Sequence, residues 1–281
     1  MTSTALWGGA ALAAVTLTAA TANAGIPPTV LTVTAQNSNG ISSFEVVVGG
    51  IESLNSAKVD PLGNLTWDID QWLEDQNLSS WEMVDPNTGM VIAEINGLSV
   101  EYIADPVVTT NFSVQAIGAD TRFTITSGPL TFPTLTNPSA RATGSITATD
   151  FFIDGVIGSA GVSITGEHAS GHILSNVYNG GFGSGTLYDE FFLGSDFGVA
   201  PGGSQTLTDA TPIGGTTFTT ISGNVDDISV GFDFTLSAWD LASGNATFEV
   251  IPAPGAALVL AAGGLAFRRR LATEDLPPRS W

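Results

Sequence analysis

The side chains of this sequence that could do chemistry are few and stand in short clusters. Glu167-His168-Ala-Ser-Gly-His172 holds both histidines of the chain. Four residues apart, they would share one face of a helix and could ligate a metal from it. Gly166, Ser170 and Gly171 oppose a helix here, and the zinc-protease order His-Glu-x-x-His is absent. The segment therefore reads as a loop that carries two histidines. Asp68-Ile-Asp70 is expected to set two carboxylates on one side of a strand, about 7 Å apart. Such a pair could hold calcium, or serve as acid and base on a glycoside. Trp72 and Leu73 stand where a calcium loop would need a third ligand and a glycine. Asp226-Asp227, ahead of an alternating apolar run, reads as a turn. Trp67, Trp72, Trp81 and Trp239 could line a carbohydrate platform, although tryptophan in alternating strands more often packs a core or an edge.

Other catalytic signatures are missing. No Gly-x-Ser-x-Gly elbow and no Gly-x-x-x-x-Gly-Lys phosphate loop occurs, and the chain has no cysteine for a thiolate or a disulfide. No catalytic, cofactor-binding or metal-ligating residue is assigned, and no enzyme activity is expected. Acids outnumber bases 27 to 7. Across 25–250 the bases are Lys58, Arg122 and Arg141 alone. A surface of this sign repels phosphate backbones, which excludes nucleic acid as a partner, and it would attract divalent cations such as calcium loosely. Asn64-Leu-Thr, Asn77-Leu-Ser, Asn111-Phe-Ser and Asn245-Ala-Thr fit the N-glycosylation acceptor pattern and read here as turn and strand chemistry.

The elements that must position these groups are strands. Two-residue alternation dominates from Thr29 onward, and no amphipathic helix stands out. In Ile228-Ser-Val-Gly-Phe-Asp-Phe-Thr-Leu-Ser-Ala238, the residues Ile228, Val230, Phe232, Phe234 and Leu236 share one face, and Ser229, Asp233 and Thr235 the other. That is the pattern of a half-buried strand. Phe112, Val114 and Ala116 repeat it, and Phe123 with Ile125 return it after a turn at Gly118-Ala-Asp120. Trp81 to Ile95 reads as a hairpin whose turn is set by Pro86 and closed by Gly89. Further strands are expected at 30–35, 44–48, 65–69, 98–103, 144–150, 161–165, 216–222 and 246–250. Many short strands punctuated by Gly, Asn, Asp and Pro point to an all-β, antiparallel sandwich or jelly-roll-like domain. The glycine-dense stretch 176–204 is expected to be a long surface excursion, packed down by Phe191, Phe192 and Phe197.

The two ends read as addresses. Residues 6–22 carry no charge, and Ala22-Asn-Ala24 fits the small-x-small cleavage pattern, with Gly25 as the first mature residue. At the other end, Ile251-Pro252-Ala253-Pro254-Gly255 leads into an apolar run that closes on Arg268, Arg269 and Arg270. As a helix, 255–267 would reach about 20 Å, short of a hydrocarbon core of about 30 Å. Such a segment is a marginal transmembrane helix or a buried one, and its arginines could snorkel to headgroups on the cytoplasmic side.

Pro252, Pro254, the apolar run and the arginine cluster resemble the PEP-CTERM protein-sorting signal over about twenty residues. Ala253 stands where the name motif has Glu, and 271–281 extends beyond the arginines. The resemblance implies recognition by an exosortase-like membrane transpeptidase, removal of the tail and delivery to the cell surface or extracellular matrix. It carries no activity for the body of the chain. The expected organisation is a signal peptide at 1–24 removed by signal peptidase, an acidic all-β domain at 25–250, a sorting signal at 251–270 and a polar tail at 271–281. The expected protein is exported and non-catalytic. A calcium-assisted lectin-like domain for exopolysaccharide is the alternative, ahead of a polysaccharide hydrolase.

Overall fold

Alternation does become strand. The computed structural model describes residues 25–49, 56–150 and 161–253. The N-terminal segment with Ala22 and Ala24, and everything from Pro254 through Arg268, Arg269 and Arg270 to the tail, lie outside the described residues. In chain order the strands are β1 (Thr29–Asn37), β2 (Gly40–Val48), β3 (Ser56–Val59), β4 (Leu65–Asp68), β5 (Trp81–Val84) and β6 (Val91–Ile103). They continue as β7 (Val107–Ala116), β8 (Thr121–Ser127), β9 (Leu130–Thr136), β10 (Ser139–Thr149), β11 (Ile164–Gly166) and β12 (His172–Tyr178). The last are β13 (Thr186–Leu193), β14 (Ser204–Thr211), β15 (Thr219–Thr220), β16 (Asn224–Leu236) and β17 (Leu241–Ile251). One helix, α1 (Asp70–Gln76), interrupts them among the described residues. The fold is all-β.

Strand pairing resolves into two ladders. In the first, β1 lies between β2 and β8, β8 pairs with β16, and β16 pairs on its far side with β11 and β12. β13 closes that edge on β12, and β9 continues the line of β8 along β16. The second ladder runs β3, β4, β6, β7, β17, β10, β14. In it, β5 shares one side of β6 with β4, and β15 shares one side of β10 with β14. These pairs are antiparallel. A short parallel pairing, Val47 with Ser56 and Val48 with Ala57, ties β2 of the first ladder to β3 of the second.

Aromatic side chains carry the contact between the ladders. Phe112 of β7 meets Phe232 edge-on at 4.8 Å and Phe234 in a stacked arrangement at 5.7 Å between ring centroids. It has room because its register partner on β17 is Gly244, where an added Cβ would stand 2.7 Å from the ring. Gly144 on β10 works alike, since a Cβ there would meet Leu174 at 2.5 Å. Elsewhere Phe44 of β2 lies 4.6 Å from Trp81 and 5.9 Å from Trp67, and Tyr188 of β13 stacks at 5.0 Å on Phe248 of β17. Tyr102 of β6 is fully buried, and its hydroxyl donates to the carbonyl oxygen of Val30 on β1 at 2.6 Å. Burial pushes its phenol far above the ordinary tyrosine value.

The structure departs from the sequence reading in definite places. The stretch 176–204 is not a surface excursion. β12 and β13 form a paired hairpin with Leu174 opposite Phe191, and the glycines concentrate in its turn. Leu187–Leu193 was masked by those neighbouring glycines, yet Phe191 and Phe192 are core residues. α1 went unforeseen because seven residues give no readable period; only Leu73 is buried, and Asn77 closes the helix in the left-handed conformation. β3, β9, β12, β13 and β14 were likewise missed, and 216–222 shortens to Thr219–Thr220. The Trp81–Ile95 hairpin is present. Asp85 closes its turn by accepting from the Asn87 N–H at 3.0 Å and the Thr88 hydroxyl at 2.9 Å, which holds its carboxyl below the usual range.

Replacing Phe112 with Ala is expected to lower unfolding free energy by about 3–5 kcal/mol, and Gly244→Val by about 1–3 kcal/mol through overpacking against the same ring. Urea denaturation reads both. A loss below about 1 kcal/mol for Phe112→Ala would show that the ring does not hold the ladders together.

Candidate functional site

The alternation that buries Phe112, Ala246 and Gly144 turns the intervening residues of β7, β17 and β10 to the opposite face of the second ladder. Register then lines them up across the strands. Asn111, Asn245 and Ser145 form one row, flanked by Ser99 of β6 and Thr208 of β14. Thr109, Thr247 and Thr143 form a second row, and Ser113, Ser243 and Thr147 a third. Rows of this kind repeat at about 4.8 Å between strands and about 6.8 Å along them. The side chains are partly or well exposed and none is charged. Neighbours hold one another in place. Asn111 donates to the Ser99 hydroxyl at 2.9 Å, Asn245 to the Ser145 hydroxyl at 3.0 Å, and the hydroxyls of Thr109 and Thr247 lie 3.1 Å apart. The Thr147–Thr206 pair at 2.8 Å extends the order onto β14.

One end of this face is walled. The segment 212–215 folds back over β10 and β14, with Gly215 close enough that a Cβ would stand 2.9 Å from the Thr143 methyl. Arg141 anchors it by donating to the Gly215 carbonyl at 3.2 Å, and the same guanidinium pairs with Glu249 at 2.6 Å and lies 4.9 Å from the Phe218 ring centroid. Between wall and strands runs an open groove of about 650 Å³, floored by Thr143, Ser145, Thr208 and Asn245. Ile213 tops the wall and is 97% exposed.

The outward face of the first ladder is different. Arg122 grips Asp233 through both carboxylate oxygens, at 2.9 and 2.7 Å, and Thr235 donates to Glu167 at 2.6 Å. The chain also covers this face. Phe182, from the β12–β13 turn, rests on Gly231, so that Ser229 and Asp233 of β16 are buried too. The strand expected to be half-buried is buried on both sides. His168 and His172 belong to the tight turn between β11 and β12, closed by the Gly171 N–H donating to His168 O at 2.7 Å. His168 packs against Phe182, its ring centroid 5.1 Å away, while His172 faces Ser170 at 2.9 Å and Glu190 at 3.5 Å. They diverge from a shared helical face. Among the described residues no three His, Asp or Glu side chains converge as a metal-binding group.

The paired carboxylates are also placed differently from expectation. β4 ends at Asp68, whose Oδ1 accepts the Asp70 N–H at 2.8 Å, so that the chain turns into α1 and the pair does not share a strand face. Burial, with Asp68 and Glu74 nearby, raises the Asp70 carboxyl. Asp226 and Asp227 lie within β16 and not in a turn. Asp227 accepts the Gly180 N–H at 2.8 Å and so fastens the β12–β13 turn; burial outweighs that bond and raises its carboxyl. Trp67 and Trp81 flank Phe44, Trp72 packs partly buried against the core, and Trp239 is exposed at the β16–β17 turn. They make no common platform. Of the sorting residues, Pro252 is described and follows directly on β17; Gly25, the expected first mature residue, pairs with Thr131. The polar rows went unnoticed in the sequence, although Asn111-Phe-Ser113 and Asn245-Ala-Thr247 carried the signal: polar residues two apart share a strand face.

Fold and faces together define an all-β protein in which one sheet face carries uncharged, hydroxyl-rich rows across β7, β17 and β10, and the other carries charged pairs partly covered by loops. No family model matches the chain, and no curated protein matches it. A solved structure of infectious bursal disease virus, Gx strain, aligns with 89% of this chain and 75% of that chain, at 12% identity and a TM-score of 0.14. So low a score transfers neither fold nor function.

Burial lowers the His168 imidazole from its ordinary value, and the carboxylates of Asp233 and Glu190 only partly oppose it. The unfolded chain therefore takes up a proton near pH 6.5 before the folded chain does. This histidine's contribution to stability should be full above about pH 6.5 and decline as pH falls through the depressed folded value. Urea midpoints measured from about pH 7.5 down to 5 should fall more steeply for the native chain than for His168→Gln. Parallel profiles would show that His168 is solvated.

Proposed function

We propose that this is an exported, non-catalytic bacterial protein, sorted by its C-terminal signal to the cell surface or extracellular matrix, and that its body is a β-sandwich with jelly-roll-like strand packing. The packing of Phe112 on Phe232 and of Phe248 under Tyr188, each pair drawn from opposite ladders, supports two sheets face to face. The observation that carries the functional reading is how the outermost described residues are held. Gly25 is already held by Thr131, its N–H to that carbonyl at 2.6 Å and the return bond at 3.0 Å. β17 ends at Ile251, paired with Ser139, immediately before Pro252. Cleavage after Ala24 and near Pro254 would thus remove both address segments and leave every described strand intact. Signal peptidase would make the first cut and an exosortase-like transpeptidase the second, with the apolar run as a transient membrane anchor.

Two processing events fix the mass of the mature protein. Intact-mass measurement on native protein from its source cells should give a species that begins at Gly25 and ends near Pro254, recovered from the envelope or medium. A cytosolic species retaining Met1 and Trp281 would overturn the proposal.

A further inference from the structure

The polar rows on the second ladder stand out against the charge of the molecule. The chain carries a net charge of −20, yet the groove floor of Thr143, Ser145, Thr208 and Asn245 presents only hydroxyls and an amide. The nearest cation, Arg141, is neutralised by Glu249, and Asp209 at the groove edge has its Oδ1 engaged by the Ala210 N–H at 2.8 Å. A phosphate- or uronate-bearing polymer would meet repulsion from the whole surface and no cation in the groove. An acidic protein segment would likewise find no cation on the floor, and a basic one would meet only Asp209 at the edge.

Hydroxyls and amides both donate and accept, and Asn245 spends one of its two N–H donors on Ser145. Their natural complement is a ligand whose own groups both donate and accept at close intervals along a chain. Ile213, 97% exposed on the wall, adds the apolar contact that the C–H face of a sugar ring would take. The groove volume of about 650 Å³ falls within the range of small-ligand sites, about 300–1,000 Å³. Arg141 ties the wall down, which preorganises it. We propose that this groove binds a neutral polysaccharide chain, lying across β17, β10 and β14 against Ile213. The inference gives the surface or matrix protein a partner class, but it concerns the folded body alone and holds whether or not the termini are processed.

Affinity electrophoresis of the full chain through native gels containing hydroxyethyl cellulose, dextran or galactomannan tests it, with alginate as the anionic polymer. Retardation is expected in at least one neutral gel and absent in alginate. Asn245→Asp, which adds charge without changing shape, and Ile213→Ser, on an exposed loop, should each weaken the association constant about tenfold. Gln36→Glu on β1 of the first ladder adds the same charge and should leave it unchanged. Migration unaltered in all neutral gels, or equal weakening by Gln36→Glu, overturns the proposal. So does a concentration-dependent dimer in sedimentation that Ile213→Ser abolishes, because the groove would then belong to a second copy. Since export is read by mass and location, failure here leaves that proposal standing, and the reverse.

Discussion

Everything else in the molecule depends on Phe112 being able to lie between the ladders. A phenyl ring standing off one sheet needs a gap on the strand beside it and a facing surface to fill. Gly244 provides the gap and Phe232 with Phe234 the surface. With the ladders held at that point, the larger rings at the margins close the rest: Phe44 between Trp67 and Trp81, and Tyr188 on Phe248. The chain has no disulfide to secure this arrangement. Apolar burial and aromatic contact must do so, helped by Tyr102 reaching across to the Val30 carbonyl.

Clamping the inward faces also determines what the outward faces become. A strand alternates, so whatever register buries Phe112 and Phe248 exposes Asn111 and Thr247. A slip by one residue would reverse the two sets, placing asparagines in the core and phenylalanines in water. The neutral rows on β7, β17 and β10 therefore share their cause with the core. On the first ladder the same alternation turns Asp233 and Arg122 outward, but Gly231 admits Phe182 and the covering turn buries Ser229 and Asp233 of β16. Two ladders with the same pattern thus end up unlike: one carries an open polar surface, while the other is covered over β16.

Alternation is also why so much of the fold was legible beforehand. The pairings made by β1, β2, β6, β7, β8, β10, β16 and β17 come from long two-residue patterns, and these were recognisable in the sequence. β12 and β13 were not, because Gly180, Gly181, Gly183 and Gly185 dominate their neighbourhood and local composition hides the strands that flank a turn. α1 was lost to brevity. The candidate site was the least legible part. Motif reading favours residues that could ligate or attack, so it stopped at His168, His172, Asp68 and Asp70. Those groups turn out to order turns: Asp68 accepts the Asp70 N–H just ahead of α1, and His168 sits under the β12–β13 turn. Threonine and serine in a strand look like ordinary β-formers until register shows them side by side.

The asparagines show how the meaning of a motif changes once pairing is known. Asn111-Phe-Ser113 and Asn245-Ala-Thr247 are far apart in the chain, and each alone is a common tripeptide. Antiparallel pairing sets Asn111 directly opposite Asn245, and each amide donates to a serine on the next strand outward, Asn111 to Ser99 of β6 and Asn245 to Ser145 of β10. Solvation alone could be met by scattered lysines and glutamates, as on most strand faces, and in this acidic protein glutamates would be the cheap choice. A face of aligned, uncharged hydroxyls and amides is a narrower solution. It lowers local charge in a molecule that otherwise accumulates it, and it orders groups that water would accept in any orientation. That combination suits a surface whose partner is neutral, extended and rich in hydroxyls, and it places the recognition in the pairing of strands and not in any single residue.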